Sequence, residues 1–163
     1  MTYVWPVICI LAAAGIQGNL PSWMTIFGAK PDLVLVVLIS YSLAADPEFG
    51  AGLGFIAGLV QGSIIGISMA SFVITRTVTG FLAGLVNTRL FGENPLVPVI
   101  SAGWLTLACE FLFLLANPRP VFFVAARTVL GECIYNSILT IFVYLILRQF
   151  ENNRKIKLAN ARL

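Results

Sequence analysis

The sequence predicts an all-α membrane protein in which six transmembrane helices form one bundle. Three observations support this fold class. The 163-residue chain is 59% hydrophobic and only 10% charged, with a mean hydropathy of +0.95, whereas globular domains carry roughly 25% charged residues. Six apolar segments leave no room for a soluble domain. Glycines recur every four residues in one segment, a spacing typical of closely packed membrane helices.

The apolar segments follow one another along almost the whole chain. A transmembrane helix needs about 20 residues to cross a hydrocarbon core of about 30 Å. The first two segments are short, which predicts either a locally thinned bilayer or the recruitment of flanking residues. The apolar run from Gly50 to Phe91 is too long for one helix and is expected to fold back at Ser68–Ser71. The six segments are Thr2–Ile16, Pro31–Ala45, Gly50–Ile67, Ser71–Leu90, Leu96–Ala116 and Val121–Leu147.

The first two segments differ in how they begin. The first has no positively charged region before it, so we expect a retained helix and not a cleaved signal peptide. The second begins with Pro31, at the position in a helix where proline is best tolerated. Asp32 follows, where a negative charge interacts favourably with the positive end of the helix dipole. The sequence therefore predicts a well-defined start for the second helix.

The third segment carries a ladder of glycines, and the fourth continues the pattern. Interior glycines weaken a helix in water by about 1 kcal/mol each, but a membrane helix forms regardless because lipid offers its backbone no other partner. Such glycines create a flat face that another helix can approach closely. Two uses are open: the face closes the protein's own core, or it receives a helix of another protein. Its members are Gly50, Gly54, Gly58, Gly62 and Gly66, with Gly80 and Gly84 on the fourth segment.

The C-terminal tail predicts the orientation of the chain. Residues 1–147 form the predicted bundle, and residues 148–163 form a basic tail. Short segments rich in lysine and arginine stay in the cytoplasm, so we expect a cytoplasmic C-terminus. Six helices place the N-terminus on the same side, whereas a five-helix arrangement would place it outside. The basic residues of the tail are Arg148, Arg154, Lys155, Lys157 and Arg162.

Four ionisable residues lie within the predicted helices, at a cost of about 2.5–3.5 kcal/mol each even on mild insertion scales. At about 1.5 Å per residue, Arg76, Glu110 and Arg127 share a level about 10 Å below the outer surface. We expect Glu110 to pair with Arg127 or Arg76. Glu132, predicted nearer the midplane, is expected to hydrogen-bond Asn136 or a partner chain. Three roles are open: polar contacts that fix helix register, a proton or substrate path, and a partner contact. The nearly uncharged inner half favours the first.

Several kinds of chemistry have no basis in the sequence. The chain contains no histidine, which excludes Ser-His and Cys-His catalysis and histidine-based metal sites. Its cysteines, Cys9, Cys109 and Cys133, lie in apolar segments, where thiols usually act as small hydrophobes. The glycines lack the Lys-Ser/Thr of a phosphate-binding loop. We therefore predict no enzymatic activity, no cofactor, no metal and no nucleic-acid binding.

One motif spans the second and third segments. The stretch KPDLVLVVLISY at residues 30–41 is followed by GAGLGFIAGL at residues 50–59. The Pro31-Asp32-Leu start, Tyr41 near the helix end and the G-x-G-F-x-x-G pattern resemble the bacterial rod-shape-determining MreD family. The length, the six helices and the basic tail are similar too. Many members of that family carry an aspartate at the position of Gln61, which can hydrogen-bond across helices but carries no charge.

The resemblance implies a non-enzymatic role in cell-wall elongation. It implies a scaffold in the bacterial inner membrane that binds a single-span MreC-type partner, beside the RodA–PBP2 peptidoglycan synthase and MreB filaments. It also implies a fold similar to the S components of energy-coupling-factor transporters. A second function is therefore open, that of a vitamin-binding transporter subunit with an outward-facing pocket at Arg76, Glu110 and Arg127. The short outer loops, which carry few polar groups, argue against it.

Overall fold

The computed structural model describes residues 4–25, 28–66, 68–90, 96–117 and 122–160. Every element in this part of the chain is helical, which confirms the predicted all-α class. The elements are α1 (Val4–Gly18), a 3-10 turn (Ser22–Met24), α2 (Leu33–Ser42), α3 (Pro47–Ile65), α4 (Met69–Leu90), α5 (Leu96–Ala116) and α6 (Phe122–Asn160).

The helices fall into two length classes. The stretches Pro47–Ile65, Met69–Val86, Pro98–Ala116 and Ala126–Leu147 are long and apolar enough to cross a membrane. The other two helices are apolar but shorter: α1 has 15 residues and α2 has 10. At 1.5 Å per residue, α2 is about 15 Å long, roughly half the thickness of a hydrocarbon core. The chain is therefore a multi-pass helical membrane protein in which α2 is shorter than the predicted Pro31–Ala45 segment.

The short helix α2 lies at the centre of the bundle and packs against all five other helices. Its sequence, LVLVVLISYS, is apolar on every side, which is typical of a helix enclosed by others. Val34, Leu35, Leu38 and Ile39 are fully buried. Since successive helices run in opposite directions, α2, α4 and α6 begin at the same end of the bundle. The sequence predicts that this end faces outside, and we call it the outer end.

The glycine ladder lies against α4. A Cβ added to Gly58 would come within 2.5 Å of the Cα of Val73, and one added to Gly84 within 2.5 Å of the Cα of Pro47. At these positions the two backbones are in contact, and only glycine leaves room for that approach. The remaining members of this contact are Gly50 and Gly80, which face each other, Gly54, which faces the Arg76 carbonyl, and Gly62, which faces Met69.

Gly66 does not belong to this contact, although the i+4 spacing places it in the ladder. It follows α3 as its C-cap, with φ +71° in the left-handed region and its N–H donating to the carbonyl of Gly62. Nothing lies within 4 Å of a Cβ built at this position. Glycine is common at this position in helices because it adopts a positive φ without strain. Gly66 therefore ends α3 and does not pack against α4.

The five other helices form an incomplete ring around α2. The helices α3, α4, α5 and α6 pack in chain order, while α1 packs against α2 and α3. Within the described residues, α1 and α6 do not contact each other. Instead, Tyr135 of α6 donates a hydrogen bond at 2.9 Å to the Met24 carbonyl, in the connection that follows α1.

The last helix passes the predicted end of the bundle at residue 147 without a break. It has 39 residues and is about 58 Å long, which exceeds the thickness of a hydrocarbon core. The basic tail therefore begins as a continuation of α6, and the division at residue 147 is one of composition alone. Arg162, predicted as part of this tail, lies outside the described residues.

Candidate functional site

The candidate site begins at the first turn of α2. Asp32 is the N-cap, and its Oδ1 accepts a hydrogen bond from the Leu35 backbone N–H at 3.0 Å. Such a bond satisfies one of the N–H groups that have no partner within the helix. Because α2 is short and central, its N-terminus lies inside the bundle, and Asp32 is only 8% exposed. A buried carboxylate requires a cation or several hydrogen-bond donors.

Arg76 on α4 supplies the cation. Its Nη2 lies 2.5 Å from Asp32 Oδ2, and the Arg76 residue is 2% exposed. The guanidinium also donates from Nε to Gln61 Oε1 at 2.9 Å and from Nη1 to Cys109 Sγ. The ring of Phe72, one turn earlier on α4, has its centroid 5.7 Å from the Arg76 Cζ. Each of the three nitrogens of the guanidinium therefore has a protein partner.

Gln61 on α3 completes a triangle with Asp32 and Arg76. Its Nε2 donates to Asp32 Oδ2 at 3.0 Å, while its Oε1 accepts from Arg76. Side chains lean towards the N-terminus of their own helix, and α3 and α4 are antiparallel. Gln61 therefore leans inward and Arg76 outward, so their side chains meet although their backbones lie at different levels.

Asn136 connects the triangle to α6 and α5. Its Oδ1 accepts from the Asp32 backbone N–H at 3.1 Å, and its Nδ2 donates to Thr106 Oγ1 at 3.5 Å. The network therefore joins the helices α2, α3, α4, α5 and α6. Buried ion pairs add little net stability, but removing one partner costs about 3–5 kcal/mol. Such a network fixes the relative positions of the helices more than it adds to the total stability.

A cavity of about 790 Å³ lies above this network, at the outer end of the bundle. The cavity exists because α2 starts further from the outer end than its neighbouring helices do, which leaves the centre of the bundle unfilled there. Asp32, Gln61 and Arg76 form its floor. Its walls are both apolar, as at Phe72 and Phe113, and polar, as at Gln17, Lys30, Asn117, Glu110 and Glu132.

The structure places three of the four intramembrane ionisable residues, Arg76, Glu110 and Glu132, around this cavity. Arg76 forms an ion pair with Asp32, a contact that the sequence analysis did not predict. Glu110 and Glu132 line the cavity, and both are half-buried. Arg127 is exposed on α6. The Glu110–Arg127 pair and the Glu132–Asn136 hydrogen bond stay predictions.

The register of α5 and α6 corrects the predicted depth of Glu132. Thr106 and Asn136 are in contact across the two antiparallel helices. Glu110 follows Thr106 by four residues, and Glu132 precedes Asn136 by four. Both carboxylates therefore lie one turn, about 6 Å, nearer the outer end, on the faces of α5 and α6 that meet there. Glu132 is level with Glu110 and not deeper in the membrane.

The remaining motif residues lie around the network. Pro31 lines the cavity. Tyr41, at the other end of α2, has its Oη 3.4 Å from Cys9 Sγ of α1. Sequence analysis assigned Asp32 only to the helix start and did not predict its contacts with Arg76 and Gln61. One signal was present: the predicted segment Pro31–Ala45 is shorter than the roughly 20 residues needed to cross the hydrocarbon core, so one of its ends can lie inside the bundle.

In the described part of the chain, no group of three or more histidine, cysteine, aspartate or glutamate side chains is arranged to hold a metal ion.

The whole length of the bundle is shared with one protein family. The chain matches the family described as rod shape-determining protein MreD over residues 1–151, well beyond the motif at residues 30–66. The comparisons with curated proteins and with solved structures gave no match. The family assignment does not favour the transporter-subunit alternative. Since the match covers nearly all of the chain, the protein belongs to the MreD family of membrane proteins that determine rod shape.

Proposed function

We propose that this chain is a non-enzymatic scaffold of the bacterial cell-elongation machinery, which binds a single-span MreC-type partner and thereby supports peptidoglycan synthesis and rod shape. The observation that carries the proposal is the match to the MreD family over residues 1–151. The architecture is compatible with a scaffold, because the buried polar groups of five helices bond to one another. Groups held in this way fix a single shape.

The packing of the ladder glycines indicates which surface such a partner would contact. All the ladder glycines except Gly66 lie in the α3–α4 contact, which supports their use in the protein's own core. We propose that the partner helix contacts the exposed sides of the bundle's helices and not the glycine ladder. Large apolar side chains are exposed on that surface, among them Phe55 on α3, Phe111 on α5 and Phe142 on α6.

Native mass spectrometry of the protein, purified gently from its own membranes, tests the proposal. We expect a co-purifying single-span membrane protein of the MreC type in fixed stoichiometry. A photo-crosslinking residue placed in turn at Phe55, Phe111 and Phe142 then identifies the face that contacts this protein. The same residue at Leu38, which is fully buried, is the negative control. Purification of the intact bundle without any single-span partner would contradict the scaffold.

The proposal includes the location and orientation of the bundle. We place it in the inner membrane with a cytoplasmic C-terminus, because the continuation of α6 beyond residue 147 contains Arg148, Arg154, Lys155 and Lys157. A green fluorescent protein fused to the C-terminus is expected to fluoresce, as it does only on the cytoplasmic side. An alkaline phosphatase fusion at the same point is expected to be inactive. The opposite pattern would contradict this orientation.

We extend the proposal to the other members of the machinery. The MreC-type partner would bring the bundle next to the RodA–PBP2 synthase, and MreB filaments would lie on the cytoplasmic side near the end of α6. Depletion of the protein is expected to convert rods into spheres. Rescue of rod shape by the Gly52→Ala variant but not by Arg76→Met would link this function to the intact bundle. The fold similarity to S components of energy-coupling-factor transporters stays a prediction.

A further inference from the structure

A smaller cavity lies between α1 and α3 at the opposite end of the bundle, which we call the inner end. Its volume is about 250 Å³. Gly52 lies on its exposed side and Leu53 on its buried side. We call this cavity the inner notch; it is lined by Val7 of α1 and by Glu48, Phe49, Gly52, Leu53 and Ile56 of α3. Of these residues only Glu48 carries a charge, so the notch is apolar with one carboxylate at its edge.

Gly52 has no packing role within the described chain. It is exposed, and nothing lies within 4 Å of a Cβ built on it, whereas a Cβ on Gly50 or Gly54 would meet the backbone of α4. A glycine in a helix interior is less favourable than alanine by about 1 kcal/mol. A contact from outside the bundle would give Gly52 a use, because a glycine lets a second helix approach closely. Phe55 and Ile56 follow on the same face of α3, so this face continues along the helix from the notch.

Two exposed carboxylates lie at the inner end of α3. Asp46 is the N-cap residue, but its side chain makes no capping hydrogen bond, and Glu48 lies in the first turn. In the described part of the chain, neither carboxylate takes part in an ion pair. The connection from α2 to α3 and the whole of α3 contain no lysine or arginine. The inner notch therefore has a negative edge.

We propose that the inner notch receives the transmembrane helix of the single-span partner, with an apolar side chain in the notch and the basic cytoplasmic flank of that helix beside Asp46 and Glu48. This inference rests on the proposed scaffold function and specifies its contact surface. The cytoplasmic flank of a membrane helix is enriched in lysine and arginine. Such a flank complements the two carboxylates, which lie at the end of the bundle that we place in the cytoplasm.

The same charges argue against other occupants of the notch. The cytoplasmic leaflet contains anionic lipids, and exposed carboxylates at this level repel their head groups. A second copy of the chain, if it used the same surface, would bring the same carboxylates to the interface. A partner helix with a basic flank has an attraction in place of this repulsion. Its apolar side chain in the notch supplies the packing, and the charges supply specificity.

Photo-crosslinking tests the position of the partner helix. A crosslinking residue at Phe55, which is exposed on the same face of α3 as Gly52, is expected to link to the partner. The same residue at Phe111, exposed on α5, is expected not to. If Phe55 gives no link to the partner, or links to a second copy of the chain, this docking site is wrong and the scaffold is unaffected. Purification of the unmodified chain without any single-span partner would instead contradict the scaffold, and this inference with it.

Charge variants test the negative edge. Asp46→Asn/Glu48→Gln keeps a good N-cap residue and is expected to reduce the amount of co-purified partner about fivefold, the effect of losing two exposed ion pairs. Glu48→Lys is expected to reduce this amount further. Replacement of a single basic flank residue of the partner by glutamate is expected to restore it, which distinguishes an ion pair from a loss of folding. An unchanged amount of partner with the folded double variant would overturn the proposal.

Variants of Gly52 test the notch itself. Gly52→Phe fills the notch and is expected to reduce the amount of co-purified partner about tenfold, whereas Gly52→Ala adds one methyl group and is expected to leave it unchanged. Ala12→Phe is the matched control, because Ala12 is exposed on a different face of α1 from Val7. Thermal unfolding in detergent reports whether each variant folds, and the crosslink from Phe55 decides the question if Gly52→Phe does not. An amount of partner equal to that of the unmodified chain in a folded Gly52→Phe variant would overturn the proposal.

Discussion

The α3–α4 contact and the cavity at the outer end are built on opposite principles. At the contact, glycines remove the side chains, and the two backbones meet directly. At the cavity, the central helix α2 stops short and leaves space, which polar side chains from its neighbours line. Arg76 belongs to both regions: its carbonyl faces Gly54 in the contact, while its guanidinium forms part of the cavity floor. We infer that the close packing of α3 against α4 positions Arg76, and with it the charged network at the floor of the cavity.

The largest expected effect is at the floor of the cavity. Arg76→Met leaves the buried Asp32 carboxylate without its cation, so we expect the free energy of unfolding in detergent to fall by about 3–5 kcal/mol. The double variant Asp32→Asn/Arg76→Met removes both charges and keeps a good N-cap residue for α2. It is expected to lose less stability than Arg76→Met alone, because neutral replacements of a buried pair are often tolerated. A single variant as stable as the unmodified chain would show that Asp32 does not depend on this pair.

The α3–α4 contact is expected to respond to a single methyl group. Gly58→Ala places a Cβ within 2.5 Å of the Val73 Cα, and overpacking of this kind costs about 1–3 kcal/mol. Gly52→Ala is the matched control, because Gly52 lies in the same helix with nothing within 4 Å of an added Cβ. Its effect is expected to be within about 0.5 kcal/mol. Equal stabilities of the two variants, measured by unfolding in detergent, would contradict the backbone contact.

Sequence patterns predicted the contact better than the cavity. The i+4 spacing of Gly50, Gly54 and Gly58 is a local property of one helix, and it directly predicts a flat face. The signal at Pro31 and Asp32 likewise predicted where α2 starts along the chain. It did not predict how deep that start lies, because the depth follows from the packing of five helices around α2 and from no local pattern. The partner of Arg76 was therefore missed.

The same limit applies to Glu132. Counting residues from the predicted end of the last helix places this carboxylate near the midplane. The contact between Asn136 and Thr106 fixes the register of α6 against α5 and places Glu132 level with Glu110. A register between two antiparallel helices depends on long-range contacts, so hydropathy along one chain does not determine it.

An intermediate effect is expected at Gln61, where the network meets α3. Gln61→Leu removes a donor from Asp32 and an acceptor from Arg76, and buried polar groups left without partners cost about 1–3 kcal/mol. Ser63→Ala is the matched control, because the exposed Ser63 Oγ bonds only to the Leu59 carbonyl of its own helix among the bonds described for it. In a double-mutant cycle, the cost of Gln61→Leu is expected to shrink in the Arg76→Met background. Additive effects would show that the two residues act independently.

The smallest effect is expected at Gly66, which we compare with Gly58 in the same ladder. Gly66 shares the i+4 spacing of Gly58, but the space around it is open and its φ is +71°. Gly66→Ala is therefore expected to cost about 1–2 kcal/mol through backbone strain alone. Gly66→Asn is expected to cost less, because asparagine adopts the left-handed conformation more readily. At Gly58 the order is expected to reverse, since the larger asparagine side chain meets the α4 backbone. Unfolding of all four variants in detergent distinguishes a glycine required for its positive φ from one required for a close backbone contact. If asparagine were more destabilising than alanine at both positions, Gly66 would be in contact with another element.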